Sequence, residues 1–213
     1  TFLMKNGLPI YAAGSNYQGD TSLSKVRADR DERLQLFMMT QGELLTEGQT
    51  EFKDTLAALP NLFAKEESRN VTGYGVRKGL SNNWSRDWNQ RAEGCPIFRA
   101  AEAYLNYIEA SCMKNGGNSI DGKAQEYWKE LRKRAGLPED YTITVNATDL
   151  SKENDWAVYS GDNQVSPLLY NIRRERRIEL VSEGFRMADL KRWRALDQVK
   201  DVHVQGFNFW DSM

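Results

Sequence analysis

The stretch Asn171–Leu196, NIRRERRIELVSEGFRMADLKRWRAL, limits the possible folds more than any other part of this chain. It places charge on the face of a helix that must be buried. On a helical wheel of about 100° per residue, Leu168, Leu169, Ile172 and Leu180 fall within about 120° of one another. Arg176, Glu179 and Glu183 fall on that same stripe, at about 80°, 20° and 60° from Leu168. Arg174 and Arg177 point away from it and read as solvated.

Spacing within the helix does not neutralise these charges. At i,i+4 it stacks Arg173 over Arg177, Glu175 over Glu179 and Glu179 over Glu183. Each like-charge contact costs a few tenths of a kcal/mol, and the favourable pair is Arg176–Glu179 at i,i+3. The partners must therefore come from other elements. Arg186, Asp189 and Arg192 on the following helix are candidates, as are Glu102 and Glu109 on an earlier one. The expectation is a partly buried network of Arg176, Glu179, Glu183, Arg186, Asp189, Glu102 and Glu109 tying helices together. Loss of one member would cost about 3 kcal/mol. The competing reading makes Glu183 and Asp189 an acid–base pair, but nothing nearby in the sequence suggests an open cleft.

The rest of the chain supplies helices to pair with. In IFRAAEAYLNYIEASCM, residues Ile97, Ala101, Tyr104, Leu105, Ile108 and Cys112 share one face at helical spacing. NGGNS breaks that helix. A second follows, with Ile120, Ala124, Tyr127, Trp128, Leu131 and Ala135 on one face and Gly136 and Pro138 at its end. The two make a hairpin of tetratricopeptide length that needs neighbours to bury its face. A third helix is expected from about Val165 to about Glu183, and a fourth from about Arg186 to about Val199. The segment between the second and third, PEDYTITVNATDLSKENDWAVYSGDNQ, reads as a long loop. Before residue 97 the pattern is irregular, with strand-like runs at Leu34–Thr40 and Val71–Lys78. The reading is mostly α, with long loops and a few short strands. Its division falls between an irregular part, 1–96, and a helical part, 97–213, of one domain.

Several function classes are disfavoured. Lys and Arg number 29 against 30 Asp and Glu, a net charge of −1. The arginines are interleaved with acids, so no basic stripe for nucleic acid forms. A helix between Cys95 and Cys112 would hold them about 25 Å apart, too far for a disulfide. The single histidine, His203, and the absence of metal-ligand spacing argue against zinc or iron–sulfur sites, and no cofactor is implied. No apolar run approaches the ~18 residues of a membrane span, and no signal peptide is visible.

Five motifs in order resemble the SusD/RagB family: DRDERLQLFM, NVTGYGVRK, IFRAAEAYLNYIEA, YWKELRKRAGL and IRRERRIELVSEGFRMADLKRW. Together they run from about residue 4 to about residue 196. The resemblance implies the C-terminal portion of a longer protein, with the signal peptide, lipidated cysteine and most helical repeats lying before it. It also implies a surface-exposed outer-membrane lipoprotein of Bacteroidetes-type bacteria. Such a protein binds glycans, sometimes peptides, for a SusC-like TonB-dependent transporter and is not an enzyme. The membrane would be touched only through that N-terminal lipid. The motifs themselves belong to the scaffold and carry over no ligand residue.

Sugars are held by aromatic faces and by planar polar groups that hydrogen-bond to hydroxyls. Loop-borne aromatics are therefore the candidates. Trp84 and Trp88 with Asn82, Asn83 and Arg86 come first, and Trp156 and Tyr159 second. The plain alternative for Trp84 or Trp88 is a plug against the helix layer. Trp128 and Trp193, in helices, read as core. Phe207, Phe209 and Trp210 read as packing against parts outside this sequence. Three other functions stay open: a peptide-binding protein of the RagB type, a helical-repeat adaptor, and a glycosidase with two exposed carboxylates in a cleft.

Overall fold

Side-chain caps set the starts of two core helices, and a glycine ends one of them. The computed structural model describes residues 1–39, 72–79, 97–200, 202 and 206. Its helices are α1 (Leu23–Arg27), α2 (Glu32–Phe37), α3 (Ala100–Lys114), α4 (Gly122–Arg134), α5 (Thr142–Ala147), α6 (Pro167–Glu179) and α7 (Arg186–Arg192). Ser166 caps α6 by accepting from the Leu169 N–H at 3.1 Å, and Pro167 opens it. Asp121 caps α4 through the Ala124 N–H at 2.8 Å. The fold is mostly α-helical, as expected.

The chain forms two compact units. One gathers Thr1–Tyr17, Asp29–Arg33 and Phe98–His203; the other gathers Gln18–Ala28, Leu34–Ile97 and Val204–Met213. In the second, strands β1 (Met38–Met39) and β2 (Gly75–Val76) pair antiparallel, with Met38 opposite Val76 and Met39 opposite Gly75.

In the first unit, α3 packs on α4 and on α6. Leu105, Ile108, Cys112, Ala124, Trp128, Leu131, Leu169 and Ile172 form their shared core. A second cluster joins Ala157, Val158, Tyr170, Leu190, Trp193 and Ala195. It lies under a hairpin of β3 (Tyr159–Ser160) and β4 (Asn163–Gln164). Trp128 and Trp193 are core, at 1% and 4% exposure. Cys112 is buried and free, and burial, then Glu109, pushes its thiol up to about 11.

Some expected elements differ. Leu34–Phe37 is helical where a strand was expected, and among the described residues of that run Met38–Met39 pairs as one. Asp31 explains this: its carboxylate accepts the Arg33 N–H at 3.0 Å and starts a helix the strand-like composition hides. The first core helix begins at Ala100, leaving Ile97 94% exposed. The third helix ends at Glu179, four residues early, because Ser182 and Gly184 both take positive φ. The fourth ends at Arg192, and Leu196–Val199 is a separate 3₁₀ turn. Within the expected long loop, TITVNA forms α5 despite its β-branched residues. Tertiary bonding overrides propensity there: the buried Thr144 hydroxyl donates to Gly7 O at 2.6 Å and accepts from Arg132 at 3.1 Å.

Gly136 ends α4 at φ 66°, with the Leu137 N–H returning to Arg132 O at 3.0 Å. A Cβ there would collide with the Glu32 carboxylate. Gly136→Ala is expected to cost about 1–2 kcal/mol, read by chemical denaturation.

Candidate functional site

Three charge clusters form around α6, and each like-charge ladder of the sequence is resolved by a cation or acceptor from elsewhere. Glu175 and Glu179 share one guanidinium. Arg33 Nη1 donates to Glu175 Oε1 at 2.5 Å and to Glu179 Oε2 at 3.0 Å. The other edge of Arg33 forks onto Asp31 at 3.0 and 2.7 Å. Trp128 Nε1 donates to the remaining Glu175 oxygen at 3.1 Å. Glu179 and Glu183 share Arg99, which donates to Glu179 Oε1 at 2.6 Å and to Glu183 at 2.9 and 2.7 Å. Arg134 also reaches Glu179 Oε1, at 2.6 Å.

The second cluster joins α6 to α7 and α3. Arg176 Nε lies 2.9 and 2.8 Å from the two Asp189 oxygens, and Nη1 donates to Asn106 at 2.8 Å. Arg192 donates to Asp189 Oδ1 at 2.9 Å and forks onto Glu109 with two bonds of 2.6 Å. Trp193 Nε1 donates to the same Glu109 at 2.6 Å. Arg176 therefore spends its charge on Asp189 rather than on Glu179 one turn away. Arg177 reaches Asp155 at 2.7 Å, and Arg186 pairs with that carboxylate too. Glu102 is half-buried and has no ion-pair partner among the described residues.

The third cluster is built on Glu153. Arg174 pairs with it, Tyr11 OH donates to one oxygen at 2.8 Å and Tyr170 OH to the other at 2.7 Å. Burial and the Glu153 bond push the Tyr11 hydroxyl up to about 12. The reading of Arg174 and Arg177 as solvated is corrected. Arg174 is 2% exposed and Arg177 is half-buried. The wheel assumed one buried face, whereas α6 is enclosed around almost its whole girth.

These clusters fit structure better than proton chemistry. Burial alone would raise the Glu179 carboxyl, but Arg33, Arg99 and Arg134 hold it down at about 2, against 4.5 for a free carboxyl. A group whose folded pKa is depressed stabilises the fold above its unfolded pKa, and loses that contribution as pH falls through the folded value. Glu179 is 4% exposed, so about 3 kcal/mol is expected at neutral pH, fading between about pH 5 and pH 2. Denaturation of Glu179→Gln beside the parent checks this: the stability gap should be widest at neutral pH and shrink across that window. Among the described residues, no group of three or more His, Cys, Asp or Glu side chains could hold a metal ion.

Of the aromatic candidates, Tyr159 is exposed on β3. Trp156 is half-buried against the second core cluster, with Arg186 6.0 Å from its ring centre. Asn82, Asn83, Trp84, Arg86 and Trp88 lie outside the described residues, as do Cys95, His203, Phe207, Phe209 and Trp210. Sequence reasoning missed Asp31, Arg33, Arg99, Glu153 and Asp155 as network members. DRDERL carried a signal for the first two, since acids and arginines alternate directly before an apolar run.

Comparison with known proteins accounts for this architecture. The model of the SusD family matches residues 1–212, and the chain belongs to that family. A crystal structure of a SusD-like protein from Bacteroides fragilis NCTC 9343 shares the fold, with 24% identity and a TM-score of 0.56. The match covers 91% of this chain and 34% of that one, so this chain spans about a third of its relative's length. A search of curated proteins gave no match.

Proposed function

We propose that this chain is part of a surface-exposed outer-membrane lipoprotein that captures glycans and delivers them to a SusC-like TonB-dependent transporter. The observation that carries the reading is family membership along residues 1–212. The charge geometry is consistent with it. Glu175, Glu179, Glu183, Asp189, Glu109, Glu153 and Asp155 all face guanidinium groups. A glycosidase needs one carboxyl kept protonated and a second free on the far side of the sugar. The protein acts by binding, without a cofactor, and the arginine-rich helix serves the scaffold. Ligand contacts belong to loop-borne aromatics, with Trp84 and Trp88, supported by Asn82, Asn83 and Arg86, as the first platform.

The test is binding of the whole protein to starch, xylan, galactomannan, mucin glycans and yeast mannan, beside a Trp84→Ala, Trp88→Ala variant checked for unchanged melting. Binding to one class, weakened at least tenfold in the variant, is expected. Binding that survives moves the platform elsewhere. Binding to none contradicts glycan capture.

A further inference from the structure

One buried cation of α6 spends its donors on neutral oxygens. Arg173 is 1% exposed. Its Nη1 donates to Ala157 O at 3.1 Å and to Tyr159 O at 3.2 Å, and Nη2 donates to Ser160 Oγ at 2.6 Å. Its guanidinium lies 4.7 Å from the Trp193 ring centre. Burial drags its pKa down to about 10. A buried guanidinium bonded only to neutral acceptors is costly to keep. What it secures is the backbone of one short hairpin. That hairpin is tied further by the Gly161 N–H to Arg194 O at 2.8 Å and the Val165 N–H to Val158 O at 2.9 Å. Gln198 adds a bond to Tyr159 O at 3.3 Å.

The register decides what this hairpin presents. Tyr159 is opposite Gln164, and Ser160 is opposite Asn163. Successive residues point to opposite faces, and residues directly opposite share a face. Ser160 turns inward onto Arg173, so Tyr159 turns outward. Tyr159 is 40% exposed, and Gln164, directly opposite it on the same face, is exposed too. Gly161, at φ 56°, takes the first position of the two-residue turn, where a primed hairpin turn demands positive φ. A flat ring and a planar amide thus stand side by side on a base fixed from behind.

We propose that this hairpin contacts carbohydrate, with Tyr159 stacking on a pyranose C–H face, Gln164 hydrogen-bonding to adjacent hydroxyls, and Arg173 positioning both. The inference rests on the glycan-capture reading and adds a contact element with its positioning residue. A ring offers the apolar platform; an amide offers both a donor and an acceptor to neighbouring hydroxyls. Arg173 is suited to its part because its rigid fork meets several acceptors at once, which the compact ammonium of lysine does not.

The experiment uses the whole protein and whichever polysaccharide of the panel above it binds. Tyr159→Ala and Gln164→Ala, both at exposed positions, are compared with Arg173→Lys at a temperature where each remains folded. Tyr159→Ala is expected to weaken binding about tenfold. Arg173→Lys should weaken it to a similar degree, and the double variant should bind no worse than the weaker single one, since both act through one contact. If Arg173→Lys does not fold, Ser160→Ala removes one acceptor of Arg173 and takes its place. An Arg173→Lys protein that melts earlier but binds as tightly overturns the positioning role. Unchanged binding in both Tyr159→Ala and Gln164→Ala overturns the hairpin contact while glycan capture stands. A parent that binds no polysaccharide overturns the functional reading itself.

Discussion

Arg33→Met is expected to destabilise the fold by about 3–5 kcal/mol, the range for breaking a buried pair from one side. Arg33 is buried, and so are its three partners, Asp31, Glu175 and Glu179. Removing the guanidinium leaves three carboxylates facing one another without their shared cation. Arg99 and Arg134 still reach Glu179, but Asp31 keeps no other ion-pair partner among the described residues. The pH dependence should also change. Unpaired buried carboxyls have raised pKa values, so they favour the fold when protonated and oppose it as pH rises past the unfolded value near 4. The deficit of Arg33→Met relative to the parent should therefore shrink from pH 7 to pH 4. Urea denaturation at the two pH values measures it. A deficit under 1 kcal/mol at pH 7 would place Arg33 among ordinary surface pairs.

Trp128→Ala is expected to cost about 3–5 kcal/mol for a different reason. Trp128 is 1% exposed and joins α4 to the core shared by α3 and α6. Its ring stacks on Tyr141 at 4.6 Å between centroids, and its indole N–H satisfies Glu175. Truncation opens a cavity and orphans a carboxylate oxygen together. Trp128→Phe separates the two, because it refills most of the cavity and restores no donor. It should recover more than half of the lost stability in the same denaturation series.

The helical half was largely legible. Leu105, Ile108 and Cys112 recur at helical spacing in sequence and are all buried in the structure. The wheel also placed Arg176 and Glu179 on a buried face, where they lie at 4% exposure each. Periodicity failed at Arg174 and Arg177 because it reports one face of a helix. The acids that meet them, Glu153 and Asp155, sit in a segment whose pattern is that of a loop. Arg33 was hidden for a related reason: its partners Glu175 and Glu179 are far away in sequence, and no local spacing encodes a distant pair. The hairpin at Tyr159–Gln164 was missed because two residues per strand are too few to show alternation. The ligand candidates at Trp84 and Trp88 rest on residue type and loop context alone.

The charges of the arginine-rich helix hold the scaffold together. A double-mutant cycle on Arg176 and Asp189 measures this coupling, with Arg176→Leu, Asp189→Leu and the pair denatured in parallel. Each single variant should lose about 3 kcal/mol, and the double variant should lose at least about 2 kcal/mol less than the sum. An Arg176→Leu protein as stable as the parent, with no coupling to Asp189, would show that these charges do not hold the helices together.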